Sequence, residues 1–291
     1  MTATRTLAID IGGTKFTVAA FDGTEMIRRD SRMTNREGGR EWLLEQLEPA
    51  LREWHGELAF NRCGIGFGGP VEWNRQIVAT STHVGGWRDF DLPGYVSAAL
   101  GGVPVTMDND ANAGAFGEYL YGAGADCSPL VYVTMSTGIG GGIVIEGRIL
   151  RGADSWAGEI GHLNVRPDGP VCLCGSNGCF ERMCCGLWLE RDHGVPAKEL
   201  MLRPEFVREY VVDVARALKA CIMLLNPARI LIGGGIGKAG DALFVPLRSE
   251  LARQMPAWSG ARLDIRPAML GDNSVLYGAL GLAASGKVFL P

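Results

Sequence analysis

Leu7-Ala8-Ile9-Asp10-Ile11-Gly12-Gly13-Thr14-Lys15, followed by Phe16 to Ala20, reads as strand, glycine turn, strand within the span Thr6 to Ala20. Apolar runs on both sides of paired glycines describe a hairpin whose turn lets backbone come close to another group. The same shape recurs far along the chain. Val131-Tyr132-Val133-Thr134-Met135 runs into the glycine turn Ser136-Thr137-Gly138-Ile139-Gly140-Gly141-Gly142, and then into Ile143-Val144-Ile145. At an offset of 124 the two segments align without a gap, with Asp10 on Thr134, Thr14 on Gly138 and Phe21-Asp22-Gly23 on Ile145-Glu146-Gly147. The chain therefore reads as two halves built on related β-hairpins, each aiming a glycine turn at a shared cleft.

Working outward, a third turn, Ile230-Leu231-Ile232-Gly233-Gly234-Gly235, follows a helix. In that helix Phe206, Tyr210, Val211, Val214, Leu218, Ile222 and Leu225 recur at three- and four-residue steps, and it stops at Asn226-Pro227. A last helix begins after the capping cluster Asp272-Asn273-Ser274 and runs from Val275 to about Ala284. Strands alternate with helices throughout, so the class is α/β. The boundary falls near Val105 to Asn109. Residues 1–107 with about 275–291 form a smaller N-terminal α/β domain, and 108–274 a larger C-terminal one.

Composition narrows the field. The chain has 291 residues, 47% hydrophobic and 21% charged, which suits two globular domains and excludes a mainly disordered protein. Glycine accounts for 42 of them, about 14%, against a usual ~7%, clustered in short runs rather than in a collagen period. The formal net charge is −4 with no basic run, so nucleic acid is not expected as a partner. No apolar stretch reaches the ~18 residues of a membrane span, and no signal peptide precedes the first strand. Of eight cysteines, five fall between Cys172 and Cys185, a distribution that fits a reducing cytoplasmic protein with a local metal site better than a disulfide framework. Cys63, Cys127 and Cys221 read as plain buried thiols, and Cys184 and Cys185 as bystanders to the metal spacing.

Three constellations carry chemistry. Successive N–H groups of a glycine turn after a strand can converge on phosphate. No Walker sequence is present, because Ile232 to Ala239 has Ile and Ala at the deciding places. Gly64, Gly66 and Gly69 match a dinucleotide fingerprint with Asp89 beyond, which would suit a nicotinamide oxidoreductase. The residues that follow, Pro70-Val71-Glu72-Trp73 and Ile77-Val78-Ala79, are β-like where a helix is required. The second constellation, Met107-Asp108-Asn109-Asp110-Ala111-Asn112-Ala113, follows a strand and opens a helix ending near Tyr121-Gly122. An aspartate there serves either as a helix N-cap or as a general base that takes a proton from a substrate hydroxyl. The third is the most specific. His162 precedes Cys172, Cys174 and Cys179, a closed set of one imidazole and three thiolates, as structural zinc requires. Glu159 and Glu181 flank these ligands, and paired carboxylates held on one wall suit the hydroxyls of a sugar.

Together these residues resemble the ROK family of sugar kinases and related repressors, over nearly the whole chain. The resemblance implies a two-domain actin-like ATPase (ribonuclease H-like) fold with an interdomain cleft and a zinc-binding loop. Asp10-Ile11-Gly12-Gly13-Thr14-Lys15 resembles its first phosphate motif, Ser136 to Gly142 its second, and Gly233-Gly234-Gly235 the adenosine contact. Asn109-Asp110-Ala111-Asn112-Ala113 matches its catalytic segment, which implies Asp110 as general base and Asn109 as a sugar ligand. Gly158-Glu159-Ile160-Gly161-His162 and the cysteine segment through Glu181 match its signature. They imply zinc on His162, Cys172, Cys174 and Cys179, and sugar contacts from Glu159, His162 and Glu181.

The expected activity is an ATP-dependent, glucokinase-like transfer to the 6-hydroxyl of a hexose, with domain closure on the sugar. Mg²⁺ would bridge the phosphates beside Asp10. ATP would meet Gly12, Gly13, Thr14, Lys15, Thr137, Gly138, Gly234 and Gly235, and Gly69 would line the sugar side. Kinases of N-acetylglucosamine, N-acetylmannosamine or fructose remain open, as does a non-catalytic sugar-binding regulator, although Asp10 leaves no room for a helix-turn-helix before it. The resemblance also implies a homodimer. Two places depart from the family pattern on the sugar side, the displaced proline of Gly66-Phe67-Gly68-Gly69-Pro70 and Thr82-His83 before Val84-Gly85-Gly86-Trp87.

Overall fold

The computed structural model describes residues 4–81 and 84–285, so Thr82 and His83, like 286–291, lie outside the described residues. The chain divides into two compact units of almost equal length. One comprises Met1–Leu120, Arg151–Trp156 and Asn273–Pro291, the other Tyr121–Leu150 and Ala157–Asp272.

The first unit holds strands β1 (Arg5–Ile11), β2 (Lys15–Asp22), β3 (Glu25–Met33) and β4 (Arg62–Phe67). After the two-stranded ribbon β5 (Val71–Glu72) and β6 (Ile77–Val78) comes β7 (Val105–Asn109). The sheet order is β3-β2-β1-β4-β7, with antiparallel pairs up to β1 and parallel pairs beyond. Leu7, Ile9 and Ile11 alternate onto one face with Cys63, Ile65 and Phe67. There they meet Leu43, Leu47, Leu51 and Trp54 of α1 (Gly39–Leu58) and Leu92 and Val96 of α2 (Leu92–Ala99). The edge strand β3 exposes charged residues such as Arg29 and Arg32, which blunts its open edge.

The opposite face is lined by small residues and receives α3 (Asp110–Tyr121) and the C-terminal helix Ser274–Ser285. A Cβ on Gly64 would lie 1.9 Å from the Ala279 carbonyl oxygen, and one on Gly278 would lie 1.7 Å from that of Ala113. This contact bears on two readings. Gly64 and Gly66 serve close helix packing, and the β5–β6 ribbon follows them, as the β-like residues after the fingerprint predict. The second corrects an expectation: α3 groups with the first unit, not with a larger second domain beginning at 108, and a Cβ on its Gly117 would meet the Ser274 carbonyl of the C-terminal helix at 2.2 Å.

The second unit repeats the strand order. Its sheet runs β10 (Arg148–Ile149), β9 (Ile139–Ile145), β8 (Leu130–Met135), β11 (Arg229–Gly233), β12 (Ile265–Pro267). Short helices α4 (Phe180–Cys184), α5 (Gly186–His193) and α6 (Ala197–Leu200) precede the long α7 (Pro204–Leu225). Tyr210, Val214, Leu218 and Ile222 of α7 are buried in one core with Val131, Val133 and Met135. Asn226 ends α7 in the left-handed conformation at φ 42°, before Pro227. Then come α8 (Gly234–Gly237) and α9 (Asp241–Gln254), whose Leu243, Phe244, Leu247 and Leu251 join that core.

Here the gapless repeat needs two corrections. Ile11 pairs with Phe16 across the first turn, but Met135 pairs with Ile139, so the second turn is one residue shorter. The matching strand ends are accordingly Asp22 and Ile145, each preceding a two-residue hairpin. In addition, Gly140, Gly141 and Gly142 lie in β9 rather than in the turn. A Cβ on Gly141 would meet Ile160 at 2.5 Å and the Gly158 carbonyl at 2.6 Å, so the glycine admits a neighbouring segment. No helix among the described residues is long and apolar enough to cross a membrane.

Candidate active site and metal centre

In the first unit the ends of β1, β4 and β7 gather the site. The Gly68 N–H donates to the Ile11 carbonyl at 2.7 Å, and a Cβ on Gly68 would stand 3.4 Å from Oδ2 of Asp110. The half-buried Asp110 carboxylate thus borders Gly68, as do the Ile11 carbonyl at the end of β1 and the Gly12 Cα. Asp10, also half-buried, is in register with Gly66. The helix cap falls chiefly on Asn109, whose Oδ1 accepts the N–H groups of Ala111 (2.9 Å) and Asn112 (3.3 Å). Its amide nitrogen donates to the Gly69 carbonyl at 3.0 Å, tying the Gly69-Pro70 turn to α3. Asp110 also accepts the Ala111 N–H through Oδ1, at 2.8 Å.

The turn from Gly12 to Lys15 closes with the Gly12 N–H on the Lys15 carbonyl at 3.0 Å. Its remaining carbonyls are taken from outside. Thr34 Oγ1 donates to Gly12 O at 3.0 Å and Arg36 Nε to Gly13 O at 2.7 Å, while Arg36 Nη2 reaches Thr14 Oγ1 at 3.3 Å. Sequence reading missed Thr34 and Arg36, because nothing local marks residues that act on a turn about twenty positions earlier.

The second turn is held differently. Ser136 N–H bonds Gly138 O at 2.9 Å, and the Gly186 and Leu187 N–H groups bond the carbonyls of Ser136 (2.7 Å) and Thr137 (3.2 Å). Glu181 Oε2 accepts the Ile139 N–H at 2.9 Å and would lie 2.8 Å from a Cβ on Gly138. Gly234 has φ 76°, and a Cβ there would meet Met135 O at 2.4 Å, so glycine lets α8 start against the end of β8. Gly235 faces open space. Thr137, Gly138, Gly234 and Gly235 are thereby brought to neighbouring strand ends.

The third constellation also assembles. One ligand atom from each of His162, Cys172, Cys174 and Cys179 lies within 4.8 Å of every other, and the Sγ atoms of Cys174 and Cys179 are 3.5 Å apart. Thiolates bound tetrahedrally at ~2.3 Å from zinc stand about 3.8 Å apart, so this set fits the ion. The loop is built for it. Cys172 N–H bonds Ser176 O at 2.7 Å, Gly175 N–H bonds Cys172 O at 3.0 Å, and Gly178 at φ 58° packs on the Arg166 carbonyl. Burial and the neighbouring sulfurs push Cys179 up to about 12. At Cys174 burial is outweighed by the Ser176 N–H and the adjacent thiols, which bring it down to about 7. Cys63, Cys127 and Cys221 are buried free thiols, as are Cys184 and Cys185.

Glu159 leads into the 3₁₀ turn Ile160–His162. Its carboxyl is raised, first by the surrounding protein and further by the charge of Glu181, with His162 opposing.

Comparison with known proteins supplies the family. Residues 6–285 match the ROK family. A glucokinase of Thermotoga maritima is 31% identical over 94% of this chain and 95% of its own. An N-acetylmannosamine kinase of Salmonella arizonae is 32% identical over 91% of this chain and 96% of its own. The crystal structure of a ROK family glucokinase from Streptomyces griseus in complex with glucose and AMPPNP has a TM-score of 0.85 at 28% identity, covering 97% of this chain and 100% of that one. The twice-used strand order is that of the actin-like ATPase fold, and the chain belongs to the ROK family. Within it, the protein is a sugar kinase.

Proposed function

We propose that the protein transfers the γ-phosphate of ATP to the 6-hydroxyl of a hexose, with glucose as the preferred acceptor. The observation that carries this reading is the Asp110 carboxylate bordering Gly68, which the Gly12 backbone also borders at the end of β1. Asp110 takes the proton of the sugar hydroxyl as the new P–O bond forms, and Asn109 helps hold that oxygen in line. Backbone N–H groups of the turns at Gly12 to Thr14 and at Thr137-Gly138 receive the phosphates, with Lys15 adding charge, and Gly234 and Gly235 border the adenosine. Asp10 would hold Mg²⁺, through water, beside the phosphates. That ion would neutralise charge building on the phosphate oxygens. Gly69, Glu159, His162 and Glu181 orient the sugar hydroxyls. Zinc on His162, Cys172, Cys174 and Cys179 has no open position, so it serves as scaffold. By resemblance the enzyme works as a homodimer, and its cysteine distribution supports a cytoplasmic one.

A second reading has its own support, since the N-acetylmannosamine kinase is as similar as the glucokinase. A few side chains around one substituent decide between such sugars. The test is ADP release from ATP and Mg²⁺ across glucose, N-acetylglucosamine, N-acetylmannosamine, mannose, fructose and allose, with Asp110→Asn as the blank. Clear preference for glucose is expected. Preference for an N-acetylated hexosamine replaces the acceptor and keeps the chemistry, and no turnover with any hexose overturns the reading.

A further inference from the structure

Asp108 precedes the Asn109-Asp110 pair in β7 and is 2% exposed, a carboxylate placed where a strand residue is ordinarily apolar. Taking such a charge out of water is costly unless every lone pair is used. Here they are used. Oδ2 receives Arg151 Nε at 2.8 Å and Nη2 at 2.7 Å, and Oδ1 receives the Asn109 N–H at 2.8 Å and Asn112 Nδ2 at 3.0 Å. The bonds to Asn109 and Asn112 bracket Asp110 on both sides. Asn112 depends on this contact, because its buried Oδ1 has no partner among the described residues.

The cation comes from a detour in the chain. Residues 151–156 pack with the first unit, while the residues on either side of them belong to the second. Arg151 is itself braced. Its guanidinium carbon lies 3.6 Å from the centre of the Trp73 ring, and Ser155 Oγ accepts the Trp73 N–H at 3.1 Å. Gln76, left-handed at φ 55°, then clamps β7 through its amide, accepting the Met107 N–H at 2.8 Å and donating to Met107 O at 3.1 Å. Trp73, Arg151 and Gln76 thus form one brace, fixed to β7 one residue before Asp108 and at Asp108 itself. A pair serving stability alone gains little from burial, since well-packed apolar residues do as well.

We propose that Arg151, acting through Asp108, is a positioning residue for phosphoryl transfer. The pair fixes the first turn of α3, so that Asp110 meets the acceptor hydroxyl in line. This rests on the reading of Asp110 as general base. In-line transfer tolerates little displacement, and a shift of about 1 Å costs on the order of 100-fold in rate.

The test compares the zinc-loaded full chain with Arg151→Met, Arg151→Lys and Asp110→Asn. It measures kcat and KM with the hexose that the panel selects, and sugar affinity by intrinsic tryptophan fluorescence. Arg151→Met is expected to lose about 100-fold in kcat while sugar affinity stays within about threefold. Arg151→Lys keeps the charge but loses the fork, and should recover roughly tenfold of that loss. A kcat for Arg151→Met within threefold of wild type overturns the proposal. So does a loss of sugar affinity in proportion to kcat, which a merely structural brace would give. If Arg151→Met does not fold, Arg151→Lys decides, and an undiminished kcat there overturns it. Asp110→Asn separates the two readings. If it retains more than a tenth of kcat, the base assignment falls, whereas an inactive Asp110→Asn beside a normal Arg151→Met overturns only the positioning.

Discussion

The two units share one strand order yet hold their glycine turns by opposite means. In the first, side chains reach in and take carbonyls, Thr34 on Gly12 and Arg36 on Gly13. In the second, a carboxylate takes an N–H, Glu181 on Ile139, and the turn carbonyls are held by backbone from the start of α5. The second turn is also one residue shorter. A shared hairpin therefore does not imply a shared mode of support. Filling the carbonyls with donors leaves N–H groups for an anion. Spending a carboxylate on an N–H links the turn to the cysteine loop, because Glu181 follows Cys179 by two residues.

The two turns should therefore fail differently. The largest effect is expected at Asp110, which belongs to the first unit alone. Asp110→Asn should lower kcat by at least ~1,000-fold with sugar affinity nearly intact, as steady-state rates and equilibrium binding would show. Removing the metal comes next. Chelation, or Cys174→Ser, should release the loop that carries Glu181 and lower the melting midpoint by about 10 °C, with the loss confined to the second unit in hydrogen exchange. Equal loss of protection in the first-unit hairpin would break the comparison.

Glu181→Gln keeps an oxygen for the Ile139 N–H but drops the charge. An increase of about 10–100-fold in the KM for sugar is expected, with a smaller change for ATP. The smallest effect sharpens the contrast from the other side. Arg36→Ala frees the Gly13 carbonyl and should raise the KM for ATP about fivefold while leaving that for sugar unchanged. A change in sugar KM alone would show that Arg36 serves another part of the site.

The sequence showed most of the site by type and spacing. The four candidate metal ligands stand close together in the chain or flank one loop, so His162 and the three cysteines could be read directly as a set. Long α7 was legible because its apolar residues keep a helical period and Asn226-Pro227 stops it. Legibility failed where a residue's reason lay far along the chain. The glycines of β9 looked like turn residues, since the segment they admit, Gly158 to Ile160, is not their neighbour in sequence. By type alone Asp110 could be read as cap or as base, because type does not say whether it or Asn109 turns back onto the helix.

By itself, then, the sequence determined the repeated hairpin, the α/β alternation and the chemistry-bearing residue types, all of which rest on local periodicity, turn residues and ligand spacing. Tertiary structure alone decided which unit takes α3, how each turn is supported, and that Arg151 meets Asp108. Those outcomes depend on close packing and on satisfying buried polar groups. Both are properties of three-dimensional neighbours, and a pair such as Asp108 and Arg151 leaves no period or spacing in the chain to announce it.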